Sequence, residues 1–185
     1  MLRAFWTWNP VTCVEDRGFD EPHAYRSNGW MFDDSVWDRM FRQMGALGFN
    51  AFFLANTHPF PFMIDMAGYP EARVIGDSEL ERYKSAYHRI FGIARNRGIS
   101  PYVLFFSIYY PTPLLDHLGI GPREAWQATD FGIEYTHYCT RGLLREYSEL
   151  AGIVGDASEN VTAEKRETYL QQAIVDAVDA ERPEA

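Results

Sequence analysis

Asn50-Ala51-Phe52-Phe53-Leu54-Ala55 is a continuous apolar run of strand length. A strand that is covered on both faces needs this pattern, whereas a strand with one wet face alternates apolar and polar residues. Tyr102-Val103-Leu104-Phe105-Phe106 is a second such run, and further strand-like runs extend from Leu2 to Trp8 and from Ala151 to Gly155. A helical pattern follows each of the four runs. Strands that alternate with helices in this way predict a parallel sheet with crossover helices.

The helices are predicted from the spacing of apolar residues and from capping signals. The second helix has a candidate capping box, with Ser78 three residues before Glu81. The predicted starts are near Asp34 or Ser35 for the first helix, near Ser78 for the second, near Thr129-Asp130 for the third and near Ala163 for the fourth, which runs to Glu181.

The connections between these units differ in length according to their direction. The links from a helix to the next strand are short: Gly48-Phe49, Gly98-Ile99-Ser100 and Ser148-Glu149-Leu150. The links from strand to helix are long in the first three units: Asn9 to Asp33, Asn56 to Asp77 and Ile108 to Ala128. Long loops in a compact domain are usually functional or disordered. Three of them at one end of a parallel sheet are typical of the working face of a (β/α) barrel.

The length limits how much of a barrel the chain holds. An eight-fold barrel needs about 250 residues, and the chain has 185. The sequence therefore predicts an α/β fold of four consecutive βα units, half of a TIM (β/α)8 barrel, with residues 1–185 as one partial domain. We expect the chain to be a fragment of a larger enzyme.

The composition is that of a folded, acidic protein. Hydrophobic residues make up 46% of the chain, and the formal net charge is −9 with a pI near 5.0. This charge argues against nucleic acid as a partner. No apolar run reaches the roughly 20 residues of a membrane helix, so no membrane partner is expected. Cys13 and Cys139 belong to no CxxC pair, which predicts two free thiols.

No signal peptide is evident, because Met1 leads directly into the first predicted strand. The chain as it stands fits the cytoplasm, and a secreted parent enzyme is the alternative. Localisation therefore stays open at this point.

A carboxylate follows the fourth predicted strand: Glu159, in the segment Gly155-Asp156-Ala157-Ser158-Glu159-Asn160. Catalytic groups of barrel enzymes come from the carboxyl ends of several strands. Hydrolysis of a glycoside needs a carboxylic acid that protonates the departing oxygen, and a second carboxylate across the ring. Glu159 is the candidate acid, and Asn160 is a candidate to orient it or to bind a sugar hydroxyl. The alternative is a solvated glutamate whose charge favours the start of the last helix.

Aromatic residues are frequent at the ends of the predicted strands. Their faces stack well on the apolar faces of sugar rings, while polar neighbours bind the hydroxyls. Trp6 has the alternative of filling the barrel interior or packing under a helix, because aromatic residues are often part of a core. The candidate substrate-binding residues at the strand ends are Trp6, Trp8, Asn9, Asn56, His58, Tyr109 and Tyr110.

His58 has two interpretations. It follows the second strand, where it is placed to donate to a substrate hydroxyl or carboxylate or to act as a base. A histidine with a structural role in the turn is equally compatible with Asn56-Thr57-His58-Pro59. The five histidines form no HxH or HExxH pattern, and no glycine-rich phosphate motif occurs, so we expect neither a metal nor another cofactor.

Three segments together resemble a known group of enzymes. They are Phe5-Trp6-Thr7-Trp8-Asn9, the step Gly45-Ala46-Leu47-Gly48-Phe49-Asn50-Ala51, and Tyr147 to Ile153 leading into Gly155-Asp156-Ala157-Ser158-Glu159-Asn160. They resemble the N-terminal half of (β/α)8 glycoside hydrolases, and among these the α-glucuronidase-like enzymes. The resemblance implies hydrolysis of O-glycosidic bonds, with Glu159 after the fourth strand as the general acid. It also implies that the second carboxylate comes from later strands, which this chain does not contain.

Two alternatives to a hydrolase fragment remain at this point. One is a carbohydrate-binding or interaction module that works as a half barrel without catalysis. The other is a small, complete α/β protein with a doubly wound sheet, which would bind its ligand at a topological switch point. For the half barrel we expect a carbohydrate as the substrate. We also expect either a homodimer or a missing C-terminal half to cover the open sheet, since open strand edges pair with other chains.

Overall fold

The centre of the fold is a parallel sheet whose four strands lie side by side in chain order. The structure is a computed structural model that describes residues 1–8, 11–13, 25–27, 29–56, 58–106, 109–121, 124, 128–157 and 161–183. The main sheet consists of β1 (Ala4–Trp8), β4 (Ala51–Asn56), β5 (Ser100–Phe106) and β6 (Gly152–Asp156). The short antiparallel pair β2 (Val11–Cys13) and β3 (Tyr25–Ser27) lies in the connection after β1.

A helix follows each strand of the main sheet. They are α1 (Asp34–Ala46), α2 (Asp77–Asn96), α4 (Asp130–Glu146) and a final helix made of α5 (Ala163–Tyr169), a π-helical segment (Leu170–Val175) and α6 (Asp176–Glu181). A shorter helix, α3 (Thr112–Leu118), lies within the connection after β5. The predicted alternation of strands and helices is confirmed.

Two predicted helix starts can be compared with the caps in the structure. The Thr129 side chain accepts a hydrogen bond from the backbone N–H of Gly132 at 3.1 Å, so the predicted cap of α4 is confirmed. The predicted capping box of Ser78 and Glu81 is wrong. Helix α2 begins before Ser78, and its N-cap is Gly76, which has extended backbone and makes no side-chain cap hydrogen bond. Ser78 therefore lies in the first turn of the helix.

The two faces of the sheet have different surroundings. Successive residues of a strand point to opposite faces, and Phe52 and Leu54 point to the outer face, where they are fully buried in one core with Trp37 and Phe41 of α1. The opposite, inner face is only partly covered. The larger side chains of the inner face are those of Trp6, Phe53, Tyr102, Leu104, Val154 and Asp156, none of which is fully buried, whereas the small Ala51 and Ala55 on the same face are.

The strand order decides between the predicted folds. A doubly wound sheet reverses its strand order at a switch point, whereas the main sheet runs β1-β4-β5-β6 without reversal. Right-handed crossovers in one direction place the helices on one face, where the core is found. The chain is thus half of a (β/α)8 barrel, as predicted, and not a doubly wound protein. None of the described helices has the length and apolar character to cross a membrane.

Candidate active site at the carboxyl edge of the sheet

The carboxyl ends of the four parallel strands lie at one edge of the sheet, which we call the carboxyl edge. Strands β4 and β5 are in register up to Asn56 and Phe105, and β5 and β6 up to Phe106 and Asp156. All the long connections start at this edge. In barrel enzymes the catalytic groups come from this end of the strands, so the site is described from here.

An aromatic row crosses the inner face below the carboxyl edge. Trp6 is in register with Phe53, and Phe53 with Tyr102. The rings of Phe53 and Tyr102 meet edge to face, with centroids 5.3 Å apart. The next position in the row is Gly152, where a Cβ atom would lie 3.2 Å from the Tyr102 ring. Gly152 therefore leaves room for Tyr102 to lie flat against β6.

Asp156 is a carboxylate at the site that the sequence reasoning did not select. It is the last residue of β6 and is exposed. A Cβ atom on its neighbour Gly155 would meet Ile174 of the final helix at 2.9 Å, so Gly155 faces the helices. By alternation Asp156 belongs to the inner face. The signal was present in the sequence, since Gly152, Val154 and Asp156 share the parity of one strand face.

Alternation along β1 predicts that Trp6 and Trp8 share one face of the sheet. Trp6 lies on the inner face with 51% of its surface exposed, so it does not fill the core beneath the helices. Trp8 ends β1 in register with Ala55, and its side chain lies outside the described part of the structure. The exposed half of the Trp6 side chain can contact a ligand on the inner face.

Three predicted site residues, Asn9, Glu159 and Asn160, lie outside the described residues. The residues that flank positions 158–160 are buried: Ala157 is 6% exposed and Val161 is 1% exposed. In the chain, Glu159 lies between Asp156, the last residue of β6, and the buried Val161. Its place in the chain is the carboxyl edge of the fourth strand.

His58 is buried behind the carboxyl edge, with 2% of its surface exposed. Its backbone N–H donates to Oδ1 of Asn56 at 3.0 Å, and its Nε2 lies 2.9 Å from the hydroxyl oxygen of Tyr135. The imidazole also stacks on the Tyr135 ring and meets Phe60 edge on. Burial lowers the pKa of His58 to about 3, so the ring is neutral at neutral pH. This placement favours the structural interpretation over contact with substrate.

Asn56, Tyr109 and Tyr110 are also buried, at 6%, 8% and 6% exposure. Tyr110 packs edge on against Phe131 and Tyr135 of α4. Burial raises the pKa of Tyr110 to about 12 and raises the pKa of Tyr109 as well. Tyr110 therefore supports the loop after β5 from the helix side, whereas Trp6 and Asp156 belong to the inner face.

No metal centre is found among the described residues: no three His, Cys, Asp or Glu side chains gather there in a way that would hold a metal ion. Cys139 is a free thiol in the core, and burial raises its pKa well above the usual value, which makes it a poor nucleophile. The side chain of Cys13 lies outside the described residues.

A groove of about 590 Å³ lies on the helix layer, along α4. Arg141 and Arg145 line it, and both guanidinium groups pair with Glu181. Ile64 and Asp65 of the connection after β4 also line it, and none of its lining residues belongs to the inner face. Glu181 balances one of these two charges, and Asp65, Glu134 and Glu146 also line the groove, which leaves it poorly suited to bind an anion.

Comparison with known proteins gives a structural likeness without a sequence family. No family model matches the chain, and no curated protein matches it. Among solved structures, a GH138 enzyme that targets pectin rhamnogalacturonan II has a TM-score of 0.81 over 96% of this chain at 21% identity. The chain covers 21% of that enzyme.

Two further enzymes show the same likeness at lower scores. A GH5_18 enzyme from Streptomyces cattleya, determined in complex with Manβ1-4GlcNAc, has a TM-score of 0.60 over the whole chain at 15% identity. The exo-β-1,4-mannosidase Op5Man5 from Opitutaceae bacterium strain TAV5 has a TM-score of 0.58 over 98% of the chain at 16% identity. The chain spans 43% and 30% of these enzymes, respectively.

At these identities the likeness establishes the fold. These proteins are GH138, GH5 and mannosidase enzymes, and the finer resemblance to α-glucuronidases stays a prediction. The chain has the fold of one part of a glycoside hydrolase barrel and spans less than half of each of these enzymes.

Proposed function

We propose that the chain is the half of a (β/α)8 glycoside hydrolase that carries the general acid, and that the complete barrel hydrolyses O-glycosidic bonds. The observation that carries this proposal is the position of the Asp156–Asn160 segment. It starts at the carboxyl end of the fourth parallel strand, beside an inner face lined by aromatic rings. The fold likeness to carbohydrate-active enzymes supports the same function.

The residues take distinct roles in this proposal. Glu159 protonates the departing glycosidic oxygen, which requires a carboxyl group that is still protonated when the bond breaks. Asp156, exposed at the end of β6, accepts hydrogen bonds from sugar hydroxyls. Trp6 offers the exposed part of its indole to the apolar face of a sugar ring. Trp8, Asn9 and Asn160 complete the substrate contacts around them.

Hydrolysis needs a second carboxylate, about 5–5.5 Å from the acid in retaining enzymes and about 6.5–9.5 Å in inverting ones. Among the described ends of the four main strands, Asp156 is the one carboxylate, and we assign it to binding. The second catalytic carboxylate then comes from strands that face β1 and β6 across the barrel.

The substrate is proposed from the neighbours and from the resemblance to α-glucuronidases. The GH138 enzyme targets a pectin, whereas Op5Man5 is a mannosidase. Both acidic and neutral oligosaccharides are therefore candidates, and uronic-acid-containing ones agree with the finer resemblance. A binding experiment should include both classes.

The test is a titration of the chain with uronic-acid-containing and β-1,4-mannan oligosaccharides, followed by tryptophan fluorescence. We expect weak binding, which Trp6→Ala should weaken by roughly tenfold, corresponding to about 1.4 kcal/mol. Leu47→Ala is the matched control, because Leu47 is 77% exposed and lies at the C-terminal end of α1, away from the carboxyl edge. No response to any oligosaccharide would contradict the proposed function.

A second function, carbohydrate binding without catalysis, is favoured by the exposed aromatic inner face. The two functions predict different results for the protein encoded by the complete reading frame that contains this sequence. A hydrolase releases reducing sugar, and a binding module retains the oligosaccharide intact. In both cases the chain on its own should bind without measurable hydrolysis.

A further inference from the structure

Trp30 lies outside the inner face but at the same end of the molecule as the carboxyl edge. It belongs to a short 3-10 segment, Gly29–Phe32, that directly precedes α1. Helix α1 returns from the carboxyl end of β1 toward the start of β4, so its first turn lies at the carboxyl end of the sheet. Trp30 therefore stands beside the rim of the candidate site.

The indole of Trp30 is exposed and yet firmly held. Its exposed fraction is 42%. The Trp30 ring packs on the ring of Trp37, with centroids 5.3 Å apart and ring planes tilted by 45°. Trp37 is fully buried, and its indole N–H donates to the carbonyl of Met31 at 2.9 Å. The Trp37 side chain, on which Trp30 packs, is thus part of the core.

The residues that follow Trp30 in the chain are fixed as well. Met31 is fully buried, and the carbonyl of Trp30 accepts a hydrogen bond from the backbone N–H of Asp33 at 3.1 Å. The ring of Phe32 packs on Tyr83, and the Arg82 guanidinium carbon lies 3.9 Å from its centre. A large ring that is held this way loses little conformational entropy when a ligand contacts it, which favours binding.

We propose that Trp30 is an outer sugar-binding platform, on which a pyranose ring of an extended substrate stacks beyond the point of cleavage. This inference rests on the proposed function, which assigns the carboxyl edge to carbohydrate. A flat, solvent-facing indole matches the apolar face of a pyranose, and single exposed aromatic residues elsewhere need no such role. The platform adds a second aromatic contact to that of Trp6 on the inner face.

The experiment is an NMR titration of the chain, labelled with ¹⁵N at its five tryptophans, with the same uronic-acid and β-1,4-mannan oligosaccharides. Single substitutions Trp30→Phe and Trp6→Phe assign the two indole N–H signals. We expect long oligosaccharides to shift both signals and short ones to shift the Trp6 signal alone. Trp30→Ala should weaken the binding of long oligosaccharides by roughly tenfold, while Trp30→Phe, which keeps a ring on Trp37, should weaken it less.

The outcomes separate the platform from the proposed function. If long oligosaccharides shift the Trp6 signal but not that of Trp30, and Trp30→Ala binds them unchanged, the platform is rejected and the proposed function stands. If no oligosaccharide shifts any indole signal, both are rejected. Because Trp30→Ala removes a contact of Trp37, its fold is checked by the dispersion of its spectrum, and Trp30→Phe gives the comparison with the packing retained.

Discussion

The Nε2 atom of His58 lies 2.9 Å from the hydroxyl oxygen of Tyr135, although the two residues are 77 positions apart in the chain. The contact joins the loop after β4 to the middle of the packed face of α4. Since Asn56 Oδ1 also accepts the backbone N–H of His58, the end of β4 is fixed from both sides. A rigid loop of this kind holds the carboxyl edge of the sheet in place, which is what a binding site built on that edge requires.

Stability should fall at acidic pH because of His58. Its pKa is about 3 in the folded chain and about 6.5 in the unfolded one, so between these values the unfolded chain binds the proton and the folded chain does not. The contribution of the neutral imidazole is complete above pH 6.5 and is lost as the pH falls toward 3. The loss is at most about 1.4 kcal/mol per pH unit. Urea unfolding at about pH 7.5, 6.0 and 5.0 measures it.

The matched comparison uses two single variants. His58→Gln removes the titrating group, so its free energy of unfolding should change less steeply between about pH 6.5 and 5 than that of the wild type. His117→Gln replaces a surface histidine of α3 and should keep the wild-type slope. Equal slopes for the wild type and His58→Gln would show that His58 is not buried as described.

Arg182 should stabilise the end of the final helix. Its guanidinium donates to the carbonyls of Tyr147 at 2.8 Å and Leu144 at 3.4 Å, and also to that of Leu150. Arg182→Met leaves these carbonyls at the end of α4 without their donor, so we expect a loss of about 1.5–3 kcal/mol in urea unfolding. Arg42→Met is the control. It breaks an exposed i,i+4 pair with Asp38, worth about 0.5 kcal/mol, and a similar cost for both variants would contradict the assignment.

Phe52 and Phe53 are neighbours in β4 that test the two faces of the sheet. Phe52 is fully buried against Trp37 and Phe41, so Phe52→Ala should cost about 3–5 kcal/mol. Phe53 is half buried on the inner face, so Phe53→Ala should lower the free energy of unfolding of the isolated chain clearly less. Differential scanning calorimetry and urea unfolding of both variants check the order. A larger cost for Phe53→Ala would mean that the inner face is covered within the monomer.

The half-covered inner face predicts self-association. Strands β1 and β6 are the edges of the main sheet, and a two-fold axis along the barrel would pair β6 of one copy with β1 of the other in parallel. We expect a homodimer in sedimentation velocity experiments, and Phe53→Asp should shift it toward monomer. Leu47→Asp, at an exposed site outside the inner face, should leave it unchanged. A wild-type monomer over the full concentration range would contradict this prediction.

The sequence was sufficient for the order of the four strand–helix units because apolar periodicity is local, whereas β2, β3 and α3 lie in segments predicted as loops. Continuous apolar runs located β4 and β5, and the short and long connections located the carboxyl edge. Burial of particular side chains depends on distant partners. His58 and Tyr110 follow strands as binding residues do, but both pack on Tyr135, which lies on α4. No local pattern records that contact.

The position of Asp156, in contrast, can be predicted from local sequence. Its place on the inner face follows from strand parity alone, once the end of β6 is known, but the predicted strand ended one residue earlier at Gly155. A shift of one residue at a strand end thus hid a carboxylate at the candidate site. The helix-start error at Ser78 has the same origin, since Gly76 caps α2 without a side chain that a pattern would reveal.

The most direct test of the account is the activity of Glu159→Gln in the protein encoded by the complete reading frame. General acid catalysis is worth about 10²–10⁴-fold, and the need for it grows with the basicity of the leaving group. We predict a large loss of kcat on natural oligosaccharides and a much smaller loss on activated aryl glycosides, whose leaving groups need little protonation. Circular dichroism of the variant verifies the fold. Equal activity of the wild type and Glu159→Gln on both kinds of substrate would contradict the assignment of the acid to the end of the fourth strand.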